Sequence, residues 1–231
     1  MTARRDQVRR VLWALRVRLK MVVLDGLLRP VRPPQMVRLG TYYGGWWVPA
    51  ADLPPGAALC VGAGTDVSLE VELQRLGHRV YAVDPTPRAV EFVRQHHPDL
   101  PLLPVGVWTE EGHLSFRRDE TWPDSWSVED ESVVGTSAGS AGDVETFEVT
   151  TVRGLMERIG EPELTLLKLD IEGAEHAVVR QLLDDGVRPA SLGVEFDDHR
   201  ARQVLATTRL LRRNGYDLWQ LEGLNALFVR R

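Results

Sequence analysis

The sequence predicts an α/β domain in which a mostly parallel sheet carries helices on both faces and finishes in an antiparallel pair of strands. Three observations predict it. Beyond the breaker-rich stretch Arg29 to Pro34, short β-branched runs alternate with helix-period segments, the pattern of parallel strands joined by crossover helices. The first clear strand runs into a glycine turn, Gly62-Ala63-Gly64, and then into a helical pattern. The chain closes with Tyr216 to Leu221 and Asn225 to Val229, separated only by a turn at Glu222-Gly223, which reads as a hairpin.

Size and composition bound the rest. At 231 residues the chain suits one such domain with a modest extension, and 43% hydrophobic with 26% charged residues is ordinary globular composition. A formal net charge of -5 argues against a nucleic-acid partner. The single cysteine, Cys60, excludes an internal disulfide and a thiolate metal site. No resident metal is expected, although a cluster of carboxylates such as Asp170, Glu172 and Glu175 suits magnesium or calcium chemistry.

Taken in order, residues 1–35 read as a basic amphipathic helix and linker, and residues 36–231 as the main domain. Val8, Leu12, Leu15, Leu19 and Val22 recur at helical spacing between Asp6 and Leu28, among many arginines. Such a helix packs on its own domain or a second copy, or lies on an anionic membrane surface. The arginines interrupt every apolar run, so neither a secretory signal nor a membrane span is expected, and the protein reads as cytoplasmic, with contact at the inner face of the membrane as the alternative use of the helix.

Strands are expected at Ala58 to Val61, Arg79 to Asp84, Leu102 to Val107, Leu164 to Asp170 and Leu192 to Phe196. Helices are expected at Val67 to Leu76, Pro87 to His96, Val152 to Ile159, Ala174 to Asp184 and Asp198 to Arg213. Between them, residues 117–143 read as a long loop rich in Ser, Gly, Asp and Glu. Loops of that length in compact domains commonly act as lids or binding loops, and Trp122 and Trp126 within it suit the face of a sugar ring or polyketide.

Gly62 and Gly64 let the backbone turn sharply and approach a ligand, with Ala63 between them and Asp66 where a dinucleotide fingerprint carries its third glycine. That turn serves a nicotinamide dinucleotide or an adenosyl-methionine tail. Asp84, 20 residues beyond Gly64, stands where a carboxylate accepts the hydroxyls of an adenosine ribose, and with Pro85 and Thr86 it also suits a turn opening a helix. Val107 ends the third strand at the sheet edge where open α/β folds bind ligands, in position to flank an adenine, beside a Trp108 that suits either that edge or the core.

Lys168 lies inside the apolar strand that precedes Asp170, Glu172 and Glu175. A buried ammonium needs an acidic partner, and Asp170 is on the same strand face two residues on. Glu172 and Glu175 are expected together on the first helical turn, where carboxylates also favour the helix dipole.

The segment Leu167-Lys168-Leu169-Asp170-Ile171-Glu172-Gly173-Ala174-Glu175 resembles the signature of the FkbM family of S-adenosylmethionine-dependent methyltransferases without a gap. The stretches Tyr43 to Pro49, Gly64 to Ser68, Val83 to Pro87 and Gly193 to Phe196 resemble the same family, spreading the likeness from about residue 40 to the C-terminus. The resemblance implies a class I methyltransferase fold, Rossmann-like, with a seven-stranded sheet ending in an antiparallel hairpin. It implies S-adenosyl-L-methionine as cofactor and O-methylation of a sugar, glycoside or other natural product.

On that reading Gly62, Ala63, Gly64, Asp66, Asp84, Pro85, Thr86 and Val107 hold the cofactor. Asp170 serves as base or substrate clamp, followed by Glu172, with Lys168 keeping Asp170 ionised. Trp46, Trp122, Trp126, Glu195 and His199 are the acceptor-side candidates, and Trp47 suits the same wall. Two departures stand out. Cys60 occupies the position where many class I enzymes carry an acid, a role Asp66 could share, and His199 lies two positions later than the histidine the family tends to show after its fifth strand. Two rivals follow: a methyltransferase-fold binding module without catalysis, and an NAD-linked oxidoreductase.

Overall fold

The computed structural model describes residues 22–49, 53–118, 126–128, 144–196 and 201–231. A seven-stranded sheet runs β12-β13-β11-β10-β3-β4-β5. Its strands are β3 (Ala57–Val61), β4 (Arg79–Val83), β5 (Leu102–Leu103), β10 (Leu166–Leu169), β11 (Ser191–Glu195), β12 (Tyr216–Glu222) and β13 (Asn225–Arg230). The β11-β10-β3-β4-β5 portion is parallel throughout, while β13 pairs antiparallel with both β11 and β12. This is the class I methyltransferase arrangement, including its terminal hairpin.

The central strands read as continuous apolar runs because both faces are covered. In β3 the alternation splits the core cleanly: Leu59 and Val61 join one buried cluster, Ala58 and Cys60 the other. The helices between the strands are α2 (Ser68–Arg75), α3 (Pro87–His96), α4 (Val152–Ile159), α5 (Glu175–Asp184) and α6 (Ala201–Arg213). Local chemistry fixes their ends. Thr86 caps α3 by accepting from Ala89 N, with Pro87 in the first turn, and Thr151 caps α4 by accepting from Gly154 N. Gly160 closes α4 in the left-handed region at φ 72°.

Several boundaries differ from expectation, each for a physical reason. The stretch Leu102 to Val107 is two strands: Pro104, with no N–H to donate, lies between β5, the edge of the large sheet, and β6 (Gly106–Val107), which belongs to another sheet. That four-stranded sheet, β6-β9-β7-β8, adds β7 (Gly112–Arg118), β8 (Trp126–Val128) and β9 (Val144–Thr150). So the supposed loop 117–143 begins inside a strand and contains another. The strand after α4 starts at Leu166 instead of Leu164, and α5 starts at Glu175, leaving Glu172 ahead of the helix at φ 50°. A further antiparallel pair, β1 (Met36–Leu39) with β2 (Trp46–Pro49), was not expected at all.

Of the N-terminal helix, the described part is α1, residues 22–28. Leu24 and Leu28 are buried in the main core, and Arg212 donates to Leu28 O. The following segment runs along the hairpin, with Val31 N donating to Leu218 O (2.9 Å) and Arg32 N to Trp219 O (2.8 Å). Val22, Val23 and Leu27 are exposed. No helix among the described residues is long and apolar enough to cross a membrane.

Candidate active site

A cavity of about 600 Å³ opens at the carboxyl ends of β3, β4 and β10, a volume typical of small-molecule sites. The glycine turn, Asp84, the Lys168–Asp170 pair, Trp46 and Trp126 all border it. Elements distant in sequence meet there because parallel strands present all their carboxyl ends to one edge.

On the β3–β4 side the wall is mostly backbone and carboxylate. Gly62 (φ 77°) and Gly64 (φ 55°) both need the left-handed region. A Cβ at Gly62 would fall 1.9 Å from Asp170 O, whereas at Gly64 it would meet nothing within 4 Å, so the turn is packed beneath and open above. Asp84, 6% exposed, accepts from Gly64 N (2.9 Å) through Oδ2 and from Thr86 N (2.9 Å) and Thr86 Oγ1 (2.6 Å) through Oδ1. Those bonds use three of about four acceptor positions of the carboxylate and leave Oδ2 able to take another donor. Ala63, Pro85, Thr86 and Val107 lie on the same wall.

Asp66 borders the cavity too, but its oxygens are engaged elsewhere. Thr41 Oγ1 donates to Oδ2 (2.6 Å) and Ser68 N to Oδ1 (3.1 Å). Burial pulls its pKa upward, yet hydrogen bonds from Ser68, Thr41 and Gly44 outweigh this and hold it below the usual carboxylate range. It thereby fastens residues 40–45 to the glycine turn, and Gly44 packs so close that a Cβ there would lie 2.6 Å from Asp66 Cγ.

Deeper in, Lys168 is 6% exposed and its Nζ donates to Gly62 O (2.9 Å) and pairs with Asp170 Oδ2 (3.1 Å), 5.6 Å from the Trp46 ring centroid. Burial alone would lower its pKa; the Asp170 and Glu70 carboxylates reverse that and raise it above the ordinary lysine value. Glu195, partly buried at the end of β11, has its carboxyl pushed up to about 9, first by burial and then by the Asp170 charge and a hydrogen bond with Asp170. A protonated Glu195 therefore donates to an Asp170 carboxylate at neutral pH. Glu172 also lines the cavity, from a left-handed backbone position that non-glycine residues seldom adopt. Glu175 does not join it: buried on α5, it accepts from Gly173 N (2.9 Å) and stiffens the turn.

One contributor escaped the sequence reading. Glu70, on the covered face of α2, is 1% exposed and close enough to Cys60 and Lys168 to perturb both. An acid between Val67 and Leu73 on the buried stripe of a helix was the available signal. It gives the core beneath the turn an acidic group that Cys60 lacks. Burial, reinforced by the Glu70 charge, pushes the Cys60 thiol up, so Cys60 stays an inert core residue.

The aromatic candidates divide. Trp46 borders the cavity and is buried against β11, lying where a Cβ on Gly193 would come within 3.1 Å of its ring. Trp126 reaches the cavity from β8, edge-on to Phe147 with centroids 5.6 Å apart, and Phe116 joins it from β7. Trp47 instead donates from Nε1 to Glu222 Oε2 (3.0 Å), and Trp108 belongs to the core. Trp122 and His199 lie outside the described residues. Among the described residues no group of three or more His, Cys, Asp or Glu side chains is placed to hold a metal ion.

Comparison with known proteins gives two findings. The model of the methyltransferase FkbM domain matches residues 60–218. A solved TehB-like SAM-dependent methyltransferase from Corynebacterium glutamicum is similar at 16% identity and a TM-score of 0.40, over 78% of this chain and 84% of that one. No curated protein matches the chain.

Proposed function

The chain belongs to the FkbM methyltransferase family, and from that premise we propose that it methylates a hydroxyl of a sugar, glycoside or other natural-product acceptor. It is a methyltransferase, and S-adenosylmethionine is its cofactor. The residues present fit that group: an Asp84 carboxylate with acceptor capacity left, open space above Gly64, and apolar Val107 on the neighbouring strand end.

In this reading Asp84 holds the ribose hydroxyls, the Gly62–Gly64 turn backs the amino-acid tail, and Val107 flanks the adenine. When bound, S-adenosylmethionine supplies a methyl made electrophilic by the sulfonium. The chain's own part is to orient the acceptor and take its proton. Asp170 is the candidate base: its carboxylate faces the cavity, with Lys168 fixing one oxygen and Glu195 donating to the carboxylate. Glu172 is the second candidate. Trp46, Phe116 and Trp126 exclude water and offer aromatic faces to a ring-shaped acceptor.

The observation that carries this reading is the convergence of the glycine turn, Asp84 and the Lys168–Asp170 pair on one cavity. Calorimetric titration with S-adenosylhomocysteine and, separately, with NAD tests the cofactor side; saturable binding of NAD alone would sink it. For the base, Asp170→Asn is expected to lower turnover by about a hundredfold to ten-thousandfold with little change in cofactor affinity. Unchanged turnover in that variant would remove Asp170 from the role. Cofactor binding without methyl transfer to any acceptor would favour a non-catalytic binding module.

A further inference from the structure

The charge of the cavity wall is one-sided. Asp66, Asp84, Asp170, Glu172 and Glu195 reach it, and Lys168 is the one cation among the described residues that line it. That ammonium is already committed: Gly62 O and Asp170 Oδ2 hold it, and its side chain is 7% exposed. The chain leading into and out of β8, tethered to the cavity edge at Trp126, has the same sign. Residues 119–143 hold seven acidic residues and no Lys or Arg. The remaining wall is largely aromatic, with Tyr43, Trp46, Phe116 and Trp126 contributing rings whose faces are electronegative.

We propose that the cavity selects its acceptor by charge, admitting an uncharged or amine-bearing polyol and turning away a phosphorylated or carboxylated one. The inference rests on the methyltransferase reading above and narrows it. An anion entering this cavity loses hydration and finds carboxylates with no uncommitted ammonium among the described lining residues, a repulsive arrangement that discriminates more sharply than a weak attraction. An ammonium gains both the carboxylates and the aromatic faces. The sulfonium of the methyl donor benefits from the same field, which the uncharged sulfur of the by-product does not. Glu195, protonated at neutral pH, keeps a proton that an incoming cation would help to release, so the wall can gain negative charge when a cation binds.

The test has two arms. In the first, the full chain and S-adenosylmethionine are incubated with four methyl glycosides of one sugar: the plain glycoside, its amino-deoxy form, its uronic acid and its 6-phosphate. Methylated product is read by mass. Product from the plain or amino form, with none from the other two, is expected, and Glu172→Gln should admit some of the uronic acid. Methylation of the uronic acid or the phosphate by the wild type at a comparable rate overturns the proposal.

The second arm needs no acceptor. Equilibrium binding compares S-adenosylmethionine with S-adenosylhomocysteine, which lacks the methyl group and the charge it confers. Neutralising the wall in Asp170→Asn should shift the ratio of their affinities against the charged ligand by about fivefold, and added salt should shift it the same way. A ratio untouched by the substitution overturns the proposal whatever the glycosides do. If the wild type binds neither ligand, the methyltransferase reading fails first, and this inference with it.

Discussion

The two sides of the cavity are built by different means. Along β3 and β4 the ligand-facing groups are main chain, or carboxylate already tied to main chain: Asp84 holds Gly64 N and Thr86 N, both at 2.9 Å, whether or not a ligand is present. Across the cavity, Trp126 comes from a three-residue strand at the edge of the smaller sheet, and Phe116 from the strand beside it. The first side changes only if the strand–turn–helix unit changes. The second depends on a few side chains that a short sequence change can replace without disturbing the large sheet. A rigid half suits the one methyl donor that all members of the family share, and a replaceable half suits acceptors that differ.

That contrast can be broken most directly on the rigid side. Asp84→Ala removes the proposed ribose acceptor and also releases Gly64 N and Thr86, so affinity for S-adenosylhomocysteine should fall by about a hundredfold. A loss under threefold by calorimetry would mean that Asp84 only organises the turn. On the replaceable side, Trp126→Ala should reduce kcat/KM for the acceptor by about tenfold while leaving the S-adenosylhomocysteine affinity nearly intact. Equal losses in both quantities would erase the division between the halves.

The smallest effect concerns Glu195. Its carboxyl titrates near 9 in the folded chain, against about 4.3 for a solvated glutamate. Between those values the folded state keeps a proton that the unfolded state has released. Its contribution to stability is therefore full below about pH 4 and is lost as pH rises toward 9. Glu195→Gln cannot ionise, so its melting temperature should gain on the wild type progressively from about pH 5 to about pH 9. Parallel melting curves for the two proteins would show that Glu195 titrates normally.

Legibility in the sequence follows the same division. Gly62, Gly64 and Asp84 could be found because a strand, a tight turn and a carboxylate at a fixed distance obey local rules, and Lys168 announced its partner because a buried ammonium is costly unpaired. The smaller sheet was not legible. β7 (Gly112–Arg118) is rich in polar and basic residues, and β9 (Val144–Thr150) alternates too weakly on its exposed half to stand apart from the acidic chain before it. Its pairing partners lie about 30 residues apart, as with Leu114 opposite Phe147, a separation no local pattern encodes. Phe116 was missed as a wall residue for that reason. Asp66 was placed correctly at the cavity but misjudged in purpose, because the Thr41 hydroxyl it binds comes from another part of the chain.

Gly62 carries a consequence for redesign. Since a Cβ there would strike the Asp170 carbonyl at 1.9 Å, and Lys168 ties Gly62 O from below, the turn and the acid form one welded joint. Anyone wishing to accommodate a donor with a larger transferable group should leave that joint alone and carve space at Val107 or along the Trp126 side, where the wall is made of replaceable side chains.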